Sequence, residues 1–191
     1  MSYFSASQLE PADVFFSREP TAQSCLIQLA SMSPFSHAFV YSGNNKIIQA
    51  SGGTGVTEDP LSYLRAHGAS CVVYRYRGIS PFHRNAVVRY CRRAVGRDYD
   101  FILAALSPGH DVPMNHAELI NRTNSSHRSR NASLRARTFR DLSDSMYCSQ
   151  LVALAFESAG IPIVYPGEAD RSNPGTMRFA HVLEYKGVFH R

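Results

Sequence analysis

The chain has 191 residues, a formal charge of +5 and a hydrophobic fraction of 44%. That length suits one domain, expected to span 1–191, with enough apolar residues to build a core without metal or disulfide staples. No apolar run approaches the ~20 residues of a membrane span, and Met1-Ser2-Tyr3-Phe4 opens without the basic start of a secretory signal, so the expectation is a cytoplasmic protein or one exported by a signal-independent system.

In chain order, Asp13 to Phe16 reads as a short apolar strand, and Thr21 to Met32 as a helix with Cys25, Leu26 and Leu29 at helical spacing. Pro34 ends it. His37 to Tyr41 and Lys46 to Ala50 are strands joined by the tight-turn signal Gly43-Asn44-Asn45, which predicts a β-hairpin over 37–50. Gly52, Gly53 and Gly55 mark a loop, and Asp59-Pro60 reads as the start of a helix. Ala69 to Tyr76 is a further strand. Pro81 opens a helix that Gly96 closes, and Tyr99 to Leu106 reads as helical.

A polar stretch at about 107–143 follows, with six Arg against Asp111, Glu118 and Asp141. It reads first as a solvated, partly disordered loop, and otherwise as a candidate contact for an anionic surface. Its arginines lack the interleaved aromatics of a stacking platform, so no nucleic-acid partner is expected. Cys148 then opens a helix whose Leu151, Val152, Ala155 and Phe156 share one face and whose C-terminus is Gly160. From Ile163 onward the chain reads as loop with a short terminal strand. The whole pattern is α+β, with a hairpin-based antiparallel sheet packed against helices.

Cys25, Cys71, Cys91 and Cys148 are scattered, without the paired spacing of a zinc site, so neither metal nor other cofactor is expected and the cysteines read as thiols. Cys148 stands apart because unpaired N–H groups at a helix start favour a thiolate. His37 begins a strand, and a strand-borne imidazole facing a helix-borne thiol is a Cys–His arrangement for nucleophilic catalysis. Gln49, on the paired strand, is placed to orient the ring. A structural Cys and a core His would produce the same pattern.

Five motifs recur in a known order. Ala12-Asp13-Val14-Phe15-Phe16, Ser36-His37-Ala38-Phe39-Val40, Ile47-Ile48-Gln49-Ala50, Gly96-Arg97-Asp98-Tyr99-Asp100 and Tyr147-Cys148-Ser149-Gln150-Leu151-Val152 resemble those of the circularly permuted papain-like hydrolases of the YiiX type. These are relatives of the NlpC peptidases and of lecithin:retinol acyltransferase. The resemblance implies a permuted papain-like fold, with Cys148 as nucleophile, His37 as general base and then acid, and position 49 as the orienting group. Tyr147, beside the nucleophile, would shape the oxyanion site or simply pack against the sheet. Gln49 departs from the family's usual Glu, and the Arg-rich insertion has no counterpart role.

The expected reaction is amide hydrolysis through an acyl-enzyme, on a cell-wall peptide or a protein side-chain amide, in a secreted bacterial effector or a resident enzyme. Two other readings use the same residues: a lipid or thioester acyl hydrolase or acyltransferase, and a catalytically silent binding module.

Overall fold

The computed structural model describes residues 3–31, 33–99, 146–169 and 172–189. Most of the expected helix from Tyr99 to Leu106 and the Arg-rich stretch at about 107–143 lie outside them.

The strands are β1 (Tyr3–Phe4), β2 (Val14–Arg18), β3 (His37–Gly43), β4 (Lys46–Ser51), β5 (Gly55–Pro60), β6 (Ser70–Tyr76) and β7 (Leu183–Phe189). They form one sheet in the order β1-β7-β6-β2-β3-β4-β5. Every pairing is antiparallel except β1 on β7, which is parallel, so the sheet is mixed where an antiparallel one was expected. The helices are α1 (Ala22–Ser31), α2 (Tyr63–Ala66), α3 (Pro81–Ala94), α4 (Cys148–Ser158) and α5 (Pro174–Met177).

The predicted hairpin forms β3 and β4. Gly43, Asn44 and Asn45 all adopt positive φ at its turn, the conformation for which Gly and Asn carry the least steric penalty. α3 begins as its sequence demands: Ser80 caps it by accepting the His83 N–H, with Pro81 in the first turn. Gly160, at φ 78°, closes α4.

Alternation along the strands divides the core into two layers. Val14, Phe16, Ala38, Val40 and Ile48 face α3 and α4, meeting Val87, Cys91, Leu151 and Phe156. Phe15, Phe39, Ile47 and Val73 face the other way, onto Leu64 of α2 and onto Phe189. Burying both faces accounts for the unbroken apolar runs of β2 and β3. α3 and α4 pack on each other, and both on β3.

Two readings are corrected. Asp59-Pro60 ends strand β5 instead of starting a helix; the helix begins at Tyr63, after Ser62. Its sequence, Val56-Thr57-Glu58, is β-prone, and β4 offers it a free edge over Lys46 to Ser51. The C-terminal tail contributes a seven-residue strand to the sheet interior, between β1 and β6. The register shifts there, because Gly187 pairs with Val73 while Tyr185 pairs with Tyr74. That bulge lets Leu183 reach the helix-side core and Phe189 the opposite one.

Candidate functional site

α4 starts at Cys148 without any side-chain cap hydrogen bond; Tyr147, in extended conformation, occupies the cap position. The Tyr147 N–H donates to Gln150 Oε1 at 3.4 Å. Without a Ser, Thr, Asp or Asn at the cap, the first-turn N–H groups are left for another acceptor. The Ser149 N–H and the Ala38 N–H of β3 favour the thiolate form of Cys148. The β3–β4 pairing begins only at Val40, which leaves the start of β3 open toward the thiol.

His37 stands at that open end. It is partly buried, and its ring lies 5.5 Å from that of Phe39. By alternation His37 shares its pleat face with Phe39, and Gln49 shares the same face with Ile47. α4 packs on the opposite face, so thiol and imidazole meet around the end of the sheet. Cys148 and His37 are close enough to act on each other's ionisation through charge and hydrogen bonding.

Behind the ring, His37 Nε2 is 2.9 Å from Gln49 Oε1. The three residues singled out on sequence grounds, 111 and 12 positions apart along the chain, therefore form one contiguous row. Tyr147 is adjacent but engaged elsewhere: it is buried and its hydroxyl donates to the Ala169 carbonyl at 3.2 Å.

The row continues beyond the residues that sequence reasoning singled out. Gln49 Nε2 donates to Asp59 Oδ2 at 2.9 Å, and Thr57 Oγ1 donates to the same oxygen at 2.6 Å. Asp59 was missed because it was read as a helix cap. The signal that would have found it is the strand character of Gly55 to Glu58, which puts position 59 beside the hairpin.

Burial opposes charge on both members of the pair, yet each sustains the other. Burial works against the His37 imidazolium, but the charge and hydrogen bond of Cys148, the Gln49 bond and the charge of Glu19 hold its pKa above the ordinary range. Burial works against the Cys148 thiolate as well, but the charge and hydrogen bond of His37, with the two N–H groups, bring it below the ordinary thiol range. The arrangement favours a thiolate–imidazolium pair.

A cavity of about 190 Å³ opens against His37. Among the described residues its walls are formed by the hydroxyl-bearing Thr21, Ser24, Ser36, Ser51, Thr54, Tyr63 and Tyr99, with the carboxylate residue Glu19. Ser24 and Ser36 join across it at 2.6 Å, tying α1 to the start of β3.

Fold and geometry together define an α+β protein with a thiol and an imidazole paired where a helix N-terminus meets a strand end. Neither family models nor curated proteins matched the sequence. Among solved structures the chain is similar to the crystal structure of YiiX from Escherichia coli O157:H7, described as a metalloprotein, with a TM-score of 0.62 at 20% identity over 95% of this chain and 98% of that one. The fold is thus of the YiiX type.

Proposed function

We propose that this chain is a cysteine hydrolase of the permuted papain-like kind, cleaving an amide bond through an acyl-enzyme on Cys148. The observation that carries the reading is the mutually stabilising Cys148–His37 pair at a helix start, backed by the 2.9 Å contact of His37 with Gln49. The Cys148 thiolate attacks the amide carbonyl, forming a C–S bond, while N–H groups at the start of α4 receive the developing oxyanion. His37 passes its Nδ1 proton to the departing amine as the C–N bond breaks. Water then attacks the thioester, giving a proton to Nδ1, and the thiolate leaves as the acid is released.

The cavity supports a polar substrate. Its hydroxyls and the Glu19 carboxylate match a peptide or side-chain amide with a nearby hydrogen-bonding or ammonium group, better than a bare acyl chain. Cell-wall peptides and protein side-chain amides are the classes to screen, whether the enzyme is resident or a delivered effector. A metal centre does not fit the described residues: no three His, Cys, Asp or Glu side chains converge among them, and the group behind His37 is an amide.

One observation favours a second reading. Leu26 and Leu29 of α1 are 62% and 76% exposed, on the helix whose Ser24 and Ile27 line the cavity. A lipid-acyl hydrolase or acyltransferase would use them to rest on a bilayer, with salt-sensitive binding to anionic liposomes as its signature.

The test is the alkylation rate of Cys148 against pH, followed by mass spectrometry in a Cys25→Ser background. An ordinary thiol of pKa about 8.5 is roughly 0.3% ionised at pH 6. The wild type should react far faster than that fraction allows, and His37→Ala should lose the advantage by about 100-fold. If Cys148 is no faster than an ordinary thiol, the fold has a binding role instead.

A further inference from the structure

We propose that Asp59 is a positioning residue for the Cys148–His37 pair, acting through Gln49. The inference rests on the hydrolase reading for its meaning, and on geometry for its substance. A glutamine amide is ambiguous by itself: either end can face an imidazole, and either ring tautomer then makes a good hydrogen bond. Asp59 removes that freedom. Its carboxylate only accepts, so the 2.9 Å contact with Gln49 must be an N–H donated by Nε2. The amide oxygen is therefore turned to His37, 2.9 Å from Nε2. An oxygen there requires a proton on Nε2, which leaves Nδ1 as the nitrogen that exchanges its proton with Cys148.

The local structure holds this chain in one arrangement. Asp59 Oδ2 takes a second bond from Thr57 at 2.6 Å, beside the one from the Gln49 amide nitrogen. β5 carries Asp59 two residues from Thr57, the partner of Gln49 on β4, so all these groups lie on one pleat face. The negative charge that a Glu at position 49 would bring to the ring is present here one residue further out. It acts through the polarised amide, which presents a more electronegative oxygen to the imidazolium. A neutral orienting residue thereby serves the ion pair.

Titratable groups facing His37 are Cys148 on α4, Glu19 ahead of α1, Asp59 through Gln49, and Tyr63 and Tyr99 in the cavity. None of these except Asp59 can decide which end of the amide faces the ring.

The test uses the full chain with Asp59→Val, Asp59→Asn and the double variant Gln49→Glu/Asp59→Val, each checked for folding by thermal melting. Two readouts apply: long-range 1H–15N NMR of the His37 ring, and Cys148 alkylation against pH. In the wild type the neutral ring should carry its proton on Nε2. Asp59→Val should mix the tautomers and slow alkylation at pH 6 by about tenfold, equivalent to one unit in the pair's pKa. Asp59→Asn, whose amide can donate as well as accept, should also admit the second tautomer and shift the pH profile. The double variant should recover both, because its carboxylate sits directly on the ring; a loss caused by misfolding would not be rescued this way. If Asp59→Val and Asp59→Asn keep the wild-type tautomer and profile, the inference is overturned while the hydrolase reading stands. If wild-type Cys148 proves unreactive, that reading fails, and the NMR readout alone still decides what Asp59 does.

Discussion

Cys91 and Cys148 are both buried, and their surroundings drive them in opposite directions. Cys91 lies among apolar side chains on α3, and burial pushes its pKa up to about 12. In the native protein at pH 8 it should resist iodoacetamide and label only on denaturation, as peptide mass mapping would reveal. Cys148 has His37 and two N–H donors to offset the same burial. Its alkylation should fall only toward acid, as the thiolate is protonated through its lowered pKa. In the proposed hydrolysis, amide turnover should fall at both ends, because above the raised pKa of His37 the ring is a neutral imidazole with no Nδ1 proton for the leaving amine. A turnover profile without the alkaline limb would remove His37 from the acid role.

Among the elements, β5 carries the most consequence for the site. Its first residue, Gly55, has φ 74°, and a Cβ there would run into the Arg97 carbonyl. Val56 N–H also donates to Arg97 O at 2.8 Å, and Gly96 N–H to Val56 O at 2.9 Å, so the turn after α3 is stapled to the strand. Gly55→Ala should cost about 1–3 kcal/mol in chemical denaturation and slow Cys148 alkylation by disturbing Asp59. At the other end of the sheet, Asp13 is fully buried and takes bonds from Arg75 at 2.7 and 2.8 Å, while Glu10 binds Arg75 at 2.6 Å and also pairs with Arg84. The Asp of the opening motif is thus a structural tie between β6 and the segment before β2, remote from the thiol. Arg75→Met leaves that carboxylate unpaired and should cost about 3–5 kcal/mol in urea melts, with the Cys148 pH profile unchanged in the protein that remains folded.

For the molecule as a whole, the sheet depends on its C-terminal strand. β7 is inserted between β1 and β6 and supplies Leu183 to one core layer and Phe189 to the other. Removing residues 183–191 should expose the β6 edge and give aggregated material on gel filtration, with reduced strand content by circular dichroism. No helix among the described residues is long and apolar enough to cross a membrane. Basic side chains recur on α3, where Arg89, Arg92 and Arg93 border one groove. Arg92 is partly committed there, to Glu58 and the Ser42 carbonyl.

Period and punctuation in the sequence determined the local elements: the hairpin about Gly43-Asn44-Asn45, the strand before it, the Pro81 helix, and the helix that Cys148 opens. These are short-range consequences of alternation, turn chemistry and capping, and they needed no partner to be read. The same short-range logic picked Cys148, His37 and Gln49 as candidates, because each sits at a legible place on its own element. Only tertiary structure decided what lay between them. Asp59 became a strand residue because β4 offered an edge to pair with, a gain that outweighs the helix-start signal of Asp-Pro. The tail became an interior strand because β6 and β1 give its backbone partners on both edges, while Leu183 and Phe189 reach the two core layers. The row from Cys148 through His37 and Gln49 to Asp59 draws on four elements, and side chains so far apart along the chain become neighbours only when strand pairing and helix packing bring them together.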